Sequence, residues 1–135
     1  MGLIIGKLTG DYPSAIIGAT AIDLDHLIPF ARQKIIFNFK KIWQVTKMSQ
    51  TSSRGVFHNF FAWVILTGLI TLINVPIGLV FGLGYLSHFL LDAIDQDDFY
   101  PFYPFKKFNT HGFIAYYSRN EFIFTLLLLV IFFII

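Results

Sequence analysis

The sequence contains no cysteine, which excludes disulfide bonds, thiolate zinc sites and cysteine nucleophiles. Charge is also scarce, because 13% of the 135 residues are charged, against about a quarter in soluble domains. The net charge of +2 gives no reason to expect nucleic acid as a partner. The opening stretch MGLIIGKLTGDYPSA lacks the basic-then-apolar order and the cleavage site of a signal peptide, so we expect it to belong to the mature chain.

Apolar and aromatic residues are abundant instead. They make up 56% of the chain, include 17 phenylalanines and give a mean hydropathy of +0.67, which indicates a membrane protein. The length suits one domain over residues 1–135. A full span takes roughly 20 residues, so we expect the first of four apolar segments to enter part-way and the other three to cross. The segments are residues 13–22, 60–73, 76–91 and 122–135.

Two further stretches are typical of a membrane surface. Apolar residues recur at helical spacing between the first two segments, with lysines among them, which predicts an amphipathic interfacial helix. These residues are Ile35, Ile36, Phe39, Ile42 and Trp43. Residues 95–120 are rich in Tyr, Phe and Pro and are predicted to lie at the headgroup level. The predicted fold is an all-α membrane protein with about three transmembrane helices, a short N-terminal helix and the interfacial helix.

The charged residues predict how the chain is oriented. If the apolar segments alternate across the bilayer, residues 23–59 and 92–121 share one face. Of the ten basic and eight acidic residues, all but Lys7 and Asp11 lie on that face. The positive-inside rule then predicts a multi-pass protein of the cell's inner membrane with the charged face in the cytoplasm.

Histidines and carboxylates collect at the same face. His88 and Asp92 lie four residues apart in the third segment, so on a helix their side chains project from one side about 6 Å apart. That spacing lets both groups bind one cation. A His/Asp set without thiolates suits Zn²⁺, Mn²⁺ or Fe²⁺. The other candidate groups at this face are Asp23, Asp25, His26 and His58.

A structural interpretation remains open beside the metal site. His88 and Asp92 can form a neutral hydrogen-bonded pair that joins two helices. An ionisable residue at membrane depth costs on the order of 2.5–3.5 kcal/mol, so either a partner or a function is expected. Arg54 lies four residues before His58 and can reach a phosphate group with its planar fork.

Three motifs, DLDH, SRGVFHN and GYLSHFLLD followed by YPF, resemble the LexA-binding inner-membrane family of proposed metal-dependent hydrolases. That family shows Asp-x-Asp-His after its first helix and His-Arg-Gly-x-x-His-Ser before a later one. It then shows Gly-Tyr-x-x-His-x-x-x-Asp leading into a Pro-Phe element. More remotely, the pattern is similar to zinc-dependent phospholipase C and the P1-type nucleases, which are all-helical. The resemblance covers roughly residues 23–105.

The resemblance implies a role for each matching residue. It implies a divalent metal, which we expect to be zinc or alternatively manganese or iron. It makes Arg54 a phosphate contact. In a hydrolase of this kind, we expect a spare carboxylate, Asp23 or Asp95, to be the general base. The implied metal ligands, or groups that support ligands, are Asp25, His26, His58, His88 and Asp92, together with Asp23.

Two functions of different classes follow. The first is a metal-dependent phosphoester hydrolase at the cytoplasmic membrane surface, whose substrate is lipid-linked because the site lies at headgroup depth. The second is a non-catalytic membrane scaffold or complex subunit whose His/Asp cluster holds helices together. Ser53, which stands where the family has a histidine, favours the second. The expected partners are membrane lipids, a lipid or phosphoester substrate, and a membrane-protein partner or a second copy of the chain.

Overall fold

The computed structural model describes residues 1–25, 31, 34, 37–41, 44, 57–105, 108–115 and 117–135. Over these residues the chain is helical and contains no strand, since extended backbone pairs only in two isolated bridges. The all-α prediction is therefore confirmed for this part of the chain. The helices are α1 (Gly2–Thr9), α2 (Tyr12–Ala21), α3 (Phe60–Ile73), α4 (Val75–Ile94) and α5 (Arg119–Ile134).

Short polar side chains begin four of these helices. Each accepts a hydrogen bond from the backbone N–H three residues later, which satisfies one of the donors that a helix leaves unpaired at its start. These residues are Asp11 for α2, Asn59 for α3, Asn74 for α4 and Ser118 for α5. The Asp11 carboxylate accepts the Ser14 backbone N–H at 3.1 Å.

Glycines let α2 and α4 pack backbone against backbone. Gly18 on α2 lies against the Phe81 carbonyl, and Gly84 on α4 lies against the Ala15 carbonyl, so that a Cβ at either glycine would overlap a backbone oxygen. Close contact through small residues is the usual way in which helices associate inside a membrane. An aromatic core continues from this contact toward the site, and its buried members are Ile22, Phe81, Tyr85, Phe89 and Phe99.

The first two helices form a short antiparallel hairpin that the sequence only half predicted. Gly2 lies beside Ala19, and Gly6 lies beside Tyr12. With 8 and 10 residues, α1 and α2 are about 12 and 15 Å long, roughly half of the bilayer core. The segment at residues 13–22 was expected to enter part-way and corresponds to α2, whereas α1 was not anticipated.

Membrane-spanning length is confirmed for one helix. Among the described residues, α4 is long and apolar enough to cross a bilayer, while α3, with 14 residues, is shorter. The expectation of about three spans is thus supported only in part. Of the predicted interfacial helix, the structure describes Phe39 and a few neighbouring residues. The described residues do not include Ile35, Ile36, Ile42 and Trp43.

Candidate metal centre

The candidate site forms where three separate pieces of chain meet at one end of the bundle. Asp23 and Asp25 follow the last turn of α2, and His58 lies just before α3. His88 and Asp92 occupy the last turns of α4. The His58 and His88 rings meet edge to face, with centroids 5.5 Å apart. The structure therefore brings together five of the residues that the sequence proposed.

His58 is held by the carboxylate of Asp25. Its Nδ1 lies 3.1 Å from Asp25 Oδ2, and both side chains are almost completely buried. The same oxygen accepts the Phe57 backbone N–H at 2.7 Å, while the Tyr85 hydroxyl donates to the Phe57 carbonyl at 2.5 Å. A carboxylate that accepts from Nδ1–H leaves the lone pair on Nε2. His58 Nε2 lies 4.0 Å from Asp92 Oδ2.

His88 is held by a backbone carbonyl. Its Nδ1 lies 2.8 Å from the carbonyl oxygen of Ala19 on α2. Because a carbonyl oxygen only accepts, Nδ1 carries the proton and Nε2 carries the lone pair. That Nε2 lies 3.6 Å from Asp23 Oδ1 and 3.8 Å from Asp92 Oδ1. Both histidines therefore turn Nε2 toward Asp92.

These atoms fit a divalent cation in number, type and approximate spacing. Among the described residues, Asp23, His58 and His88 each offer one ligand atom, and the three atoms lie within 4.8 Å of one another. Around a tetrahedral zinc with bonds of about 2.0–2.2 Å, neighbouring ligand atoms lie roughly 3.3–3.6 Å apart. His88 Nε2 lies 3.6 Å from Asp23 and 3.8 Å from Asp92, and His58 Nε2 lies 4.0 Å from Asp92, so the side chains would have to move inward to bind one ion.

One carboxylate oxygen of Asp25 is buried behind the cluster. Asp25 Oδ1 is buried and receives no hydrogen bond from the part of the chain that the structure describes. A buried carboxylate oxygen is costly without a donor or a positive charge nearby. A cation bound by the adjacent His58 would supply that charge, which suits a supporting position for Asp25 rather than a place among the ligand atoms.

The remaining predicted residues are placed differently. Asp95 ends α4 and is buried, and it lines a cavity of about 210 Å³ together with His88 and Asp92. It therefore neighbours the cluster without belonging to the group of converging ligand atoms. His26 and Arg54, the predicted ligand and phosphate contact, lie outside the described residues.

Sequence reasoning missed the residues that orient the histidines. Ala19 contributes only its carbonyl, so no side chain signalled its role. Tyr85 and Gly84 did carry a signal, because they open the motif GYLSHFLLD, but only the fold shows that Tyr85 fixes the His58 segment. Asn59 stands where the resembled family has serine, and it caps α3 through Ala62 N at 2.9 Å, which either side chain can do.

Comparison with known proteins places the chain in a family. No curated protein and no solved structure matches it. Residues 2–135, which cover nearly the whole sequence, match the model of a protein family described as YdjM inner membrane protein. This agrees with the inner-membrane family that the motifs resemble, and it supports membrane association together with the apolar helix α4. The chain therefore belongs to the YdjM inner membrane protein family.

Proposed function

We propose that this protein is a metal-dependent hydrolase that cleaves a lipid-linked phosphoester at the cytoplasmic surface of the inner membrane. One observation carries the proposal. His58 and His88 come from different elements, each has its Nδ1 fixed by an acceptor, and each directs Nε2 toward Asp92. Imidazoles fixed in this way are typical of metal-ligating histidines.

The metal ligands in this proposal are Asp23, His58, His88 and Asp92, with zinc as the expected ion and manganese or iron as alternatives. A bound divalent cation supplies Lewis acidity toward a phosphoryl oxygen and lowers the pKa of water. Asp25 holds His58 in the tautomer that can bind. Asp95 faces the neighbouring cavity and is placed to accept a proton there, and Arg54 is the proposed phosphate contact.

The position of the cluster supports a lipid-linked substrate. The α4 helix has 20 residues and is therefore about 30 Å long, which equals the thickness of the bilayer core. His88 and Asp92 lie in its last turns, so the cluster lies near one surface, where phosphate groups of lipids are found. We further propose that α3 and α5 cross the membrane beside α4, and that this charged face is cytoplasmic.

A scaffold is the second candidate, and the same hydrogen bonds favour it. His58, just before α3, is hydrogen-bonded to Asp25, just after α2. His88 on α4 is hydrogen-bonded to the Ala19 carbonyl on α2. Both contacts would hold helices together without any metal. In that case the protein is a non-catalytic membrane scaffold or a subunit of a membrane complex.

Metal content separates the two candidates. The protein is purified in detergent and its bound metal is measured by elemental mass spectrometry, beside the double variant His88→Ala/Asp92→Ala. The matched control is His111→Ala, because the His111 side chain is 60% exposed and lies outside the cluster. We expect about one equivalent of metal in the parent protein and the control, and loss of metal in the double variant.

If neither the parent protein nor the double variant contains metal, and the double variant unfolds at a lower temperature, the hydrolase proposal is abandoned and the scaffold remains. If metal is present and lost as expected, hydrolysis of lipid phosphoesters is measured with and without a chelator. Chelation should then abolish hydrolysis, and adding zinc back should restore it.

A further inference from the structure

The α3 helix is shorter than its antiparallel neighbour α4. It has 14 residues against 20 in α4, and Asn74 alone separates the two helices. Thr71 packs on Gly78 and Thr67 packs on Gly82, so the helices stay in register from this turn onward. At 1.5 Å per residue, the start of α3 therefore lies about 9 Å short of the end of α4. A length of about 21 Å is also less than the roughly 30 Å of the bilayer core.

A loop rich in aromatic residues lies on the start of α3. This aromatic loop consists of residues 100–105 and Phe108. The Phe60 N–H, which points out of the helix along its axis, donates to the Pro101 carbonyl at 2.7 Å. The rings of Phe60 and Phe102 lie 5.7 Å apart between centroids, and those of Phe61 and Phe105 lie 6.4 Å apart. The loop is therefore at the depth of the last turns of α4, where α3 has already ended.

The outer side of the aromatic loop is apolar and exposed. Phe105 and Phe108 are each 63% exposed, and Phe61 on α3 is 47% exposed. No acidic or basic residue occurs among residues 100–105. Ile65 lies one turn after Phe61 on the same side of α3 and is exposed as well. One apolar surface therefore continues from α3 onto the loop, and a surface of this kind indicates an interaction.

The backbone of the aromatic loop suits a place with little water. Pro101 and Pro104 have no N–H group that needs an acceptor. The N–H groups of Tyr103 and Phe105 donate to the carbonyls three residues earlier, at 3.1 and 2.8 Å. The Pro101 carbonyl is bonded to α3, as described above. Irregular backbone is tolerated at membrane depth only where its polar groups find such partners.

The base of the aromatic loop is fixed to the bundle. Phe99 and Thr110 exchange backbone hydrogen bonds of 3.1 and 2.8 Å. The buried Phe99 ring packs on that of Phe89, with centroids 5.3 Å apart. After this base, Gly112 packs on the Ile94 backbone at the end of α4. The fold therefore determines where the aromatic loop lies.

We propose that the aromatic loop lies within the bilayer, where phospholipid covers Phe105 and Phe108 and the loop supplies the apolar length that α3 lacks. The proposal rests on the proposed crossing of α3 beside α4 and does not depend on hydrolase activity. Lys106 and Lys107 stand between the two phenylalanines in the sequence. Basic residues beside aromatic ones are typical of a membrane border with anionic headgroups. Phe60 follows His58 by two residues, so a loop held in the bilayer also fixes the depth of that histidine.

Nitroxide labels on single cysteines test the depth of the loop. The chain has no cysteine of its own, so Phe105→Cys carries one label. The protein is reconstituted in vesicles of phosphatidylcholine with a minor fraction of phosphatidylglycerol. Electron paramagnetic resonance then measures how accessible the label is to oxygen, which concentrates in hydrocarbon, and to a water-soluble nickel complex present on both sides. The controls are Ile65→Cys on α3, at a residue 58% exposed, and His111→Cys beside the end of α4, at a side chain 60% exposed.

We expect the ratio of oxygen to nickel accessibility at Phe105→Cys to match that at Ile65→Cys and to be several-fold higher than at His111→Cys. Phe108→Cys repeats the measurement if the first variant does not fold. A low ratio in the loop with a high ratio at Ile65→Cys overturns the proposal but leaves the crossing of α3. Low accessibility to both reagents in the loop shows a protein contact and also overturns it. A low ratio at Ile65→Cys refutes the crossing and the loop together. None of these results depends on bound metal, so the hydrolase is tested separately.

Discussion

At the scale of single residues, Asp25 determines which nitrogen His58 can offer. One of its carboxylate oxygens accepts both the Phe57 N–H and the His58 Nδ1–H. From the motif DLDH we predicted that Asp25 is one of the ligands. Residue spacing shows which carboxylates lie near one another, but it does not show which of them faces a cation. The structure makes Asp23, whose side chain is about half exposed, the carboxylate on the open side of the cluster.

We therefore predict that Asp25→Asn weakens metal binding without removing a ligand. The amide keeps the size of the side chain but loses the charge that favours Nδ1–H, so zinc affinity should fall about 10–100-fold, the usual effect of changing a group that supports a ligand. Zinc affinity is measured against a competing chelator. Asp98→Asn, at a half-exposed carboxylate outside the cluster, should leave it unchanged, and an equal fall in both variants would contradict the assignment.

At the scale of helices, the contact between α2 and α4 supports both stability and the site. Gly84 packs on the backbone of Ala15 and Ala19, and the Ala19 carbonyl fixes His88. Any side chain at Gly84 must push the two helices apart. The carbonyl that orients His88 then moves away from the ring, so a change in helix spacing reaches the cluster directly.

Gly84→Ala should accordingly destabilise the protein by about 1–3 kcal/mol and also reduce bound metal. Gly68→Ala on α3 is the matched control, because a Cβ there meets nothing within 4 Å and alanine favours helix formation. Unfolding in detergent is followed by circular dichroism. If Gly84→Ala is as stable as Gly68→Ala, the close contact between α2 and α4 is not needed.

Of these helices, α4 could be predicted from the sequence and α1 could not. The α4 helix was located to within a few residues, because a long apolar run with Pro76 near its start and acidic residues after its end specifies a helix locally. The α1 helix was missed because 8 residues are too few to form a stable helix alone, and packing of Gly2 and Gly6 on α2 supplies what the local sequence lacks. The spacing of His88 and Asp92 was predictable for the same local reason, whereas Ala19 is brought to His88 by the fold.

At the scale of the whole molecule, both ends of the α1–α2 hairpin lie on the side of the bundle that carries the candidate site. Residue 1 lies in a cavity with His88 and Ser87, so α1 begins near the site, and α2 returns to it. The turn at Gly10 lies away from the site. The α1–α2 hairpin therefore begins and ends near the site, while α4 extends from the α3–α4 turn to the cluster.

This tracing predicts opposite accessibility at the two ends of α4. Because the chain has no native cysteine, single-cysteine variants report one position each. Ile73→Cys, at an 87% exposed residue beside the α3–α4 turn, should react with a membrane-impermeant maleimide in intact spheroplasts. Gln96→Cys, just after α4, should react only after lysis. The opposite pattern would place the cluster outside the cytoplasm.

The bond between Lys7 and Phe132 joins positions 125 residues apart, so it concerns the order in which the protein is assembled. A ribosome releases Lys7 early, and its ammonium group must wait for a carbonyl near the end of α5 before it is paired within the bundle. Until then the ammonium group of Lys7 lacks this hydrogen-bond acceptor, which is unfavourable at membrane depth. Completion of α5 removes that cost, and the long loop it closes makes this a slow and late contact. A chain that lacks α5 therefore leaves this basic residue without the acceptor that it has in the folded bundle.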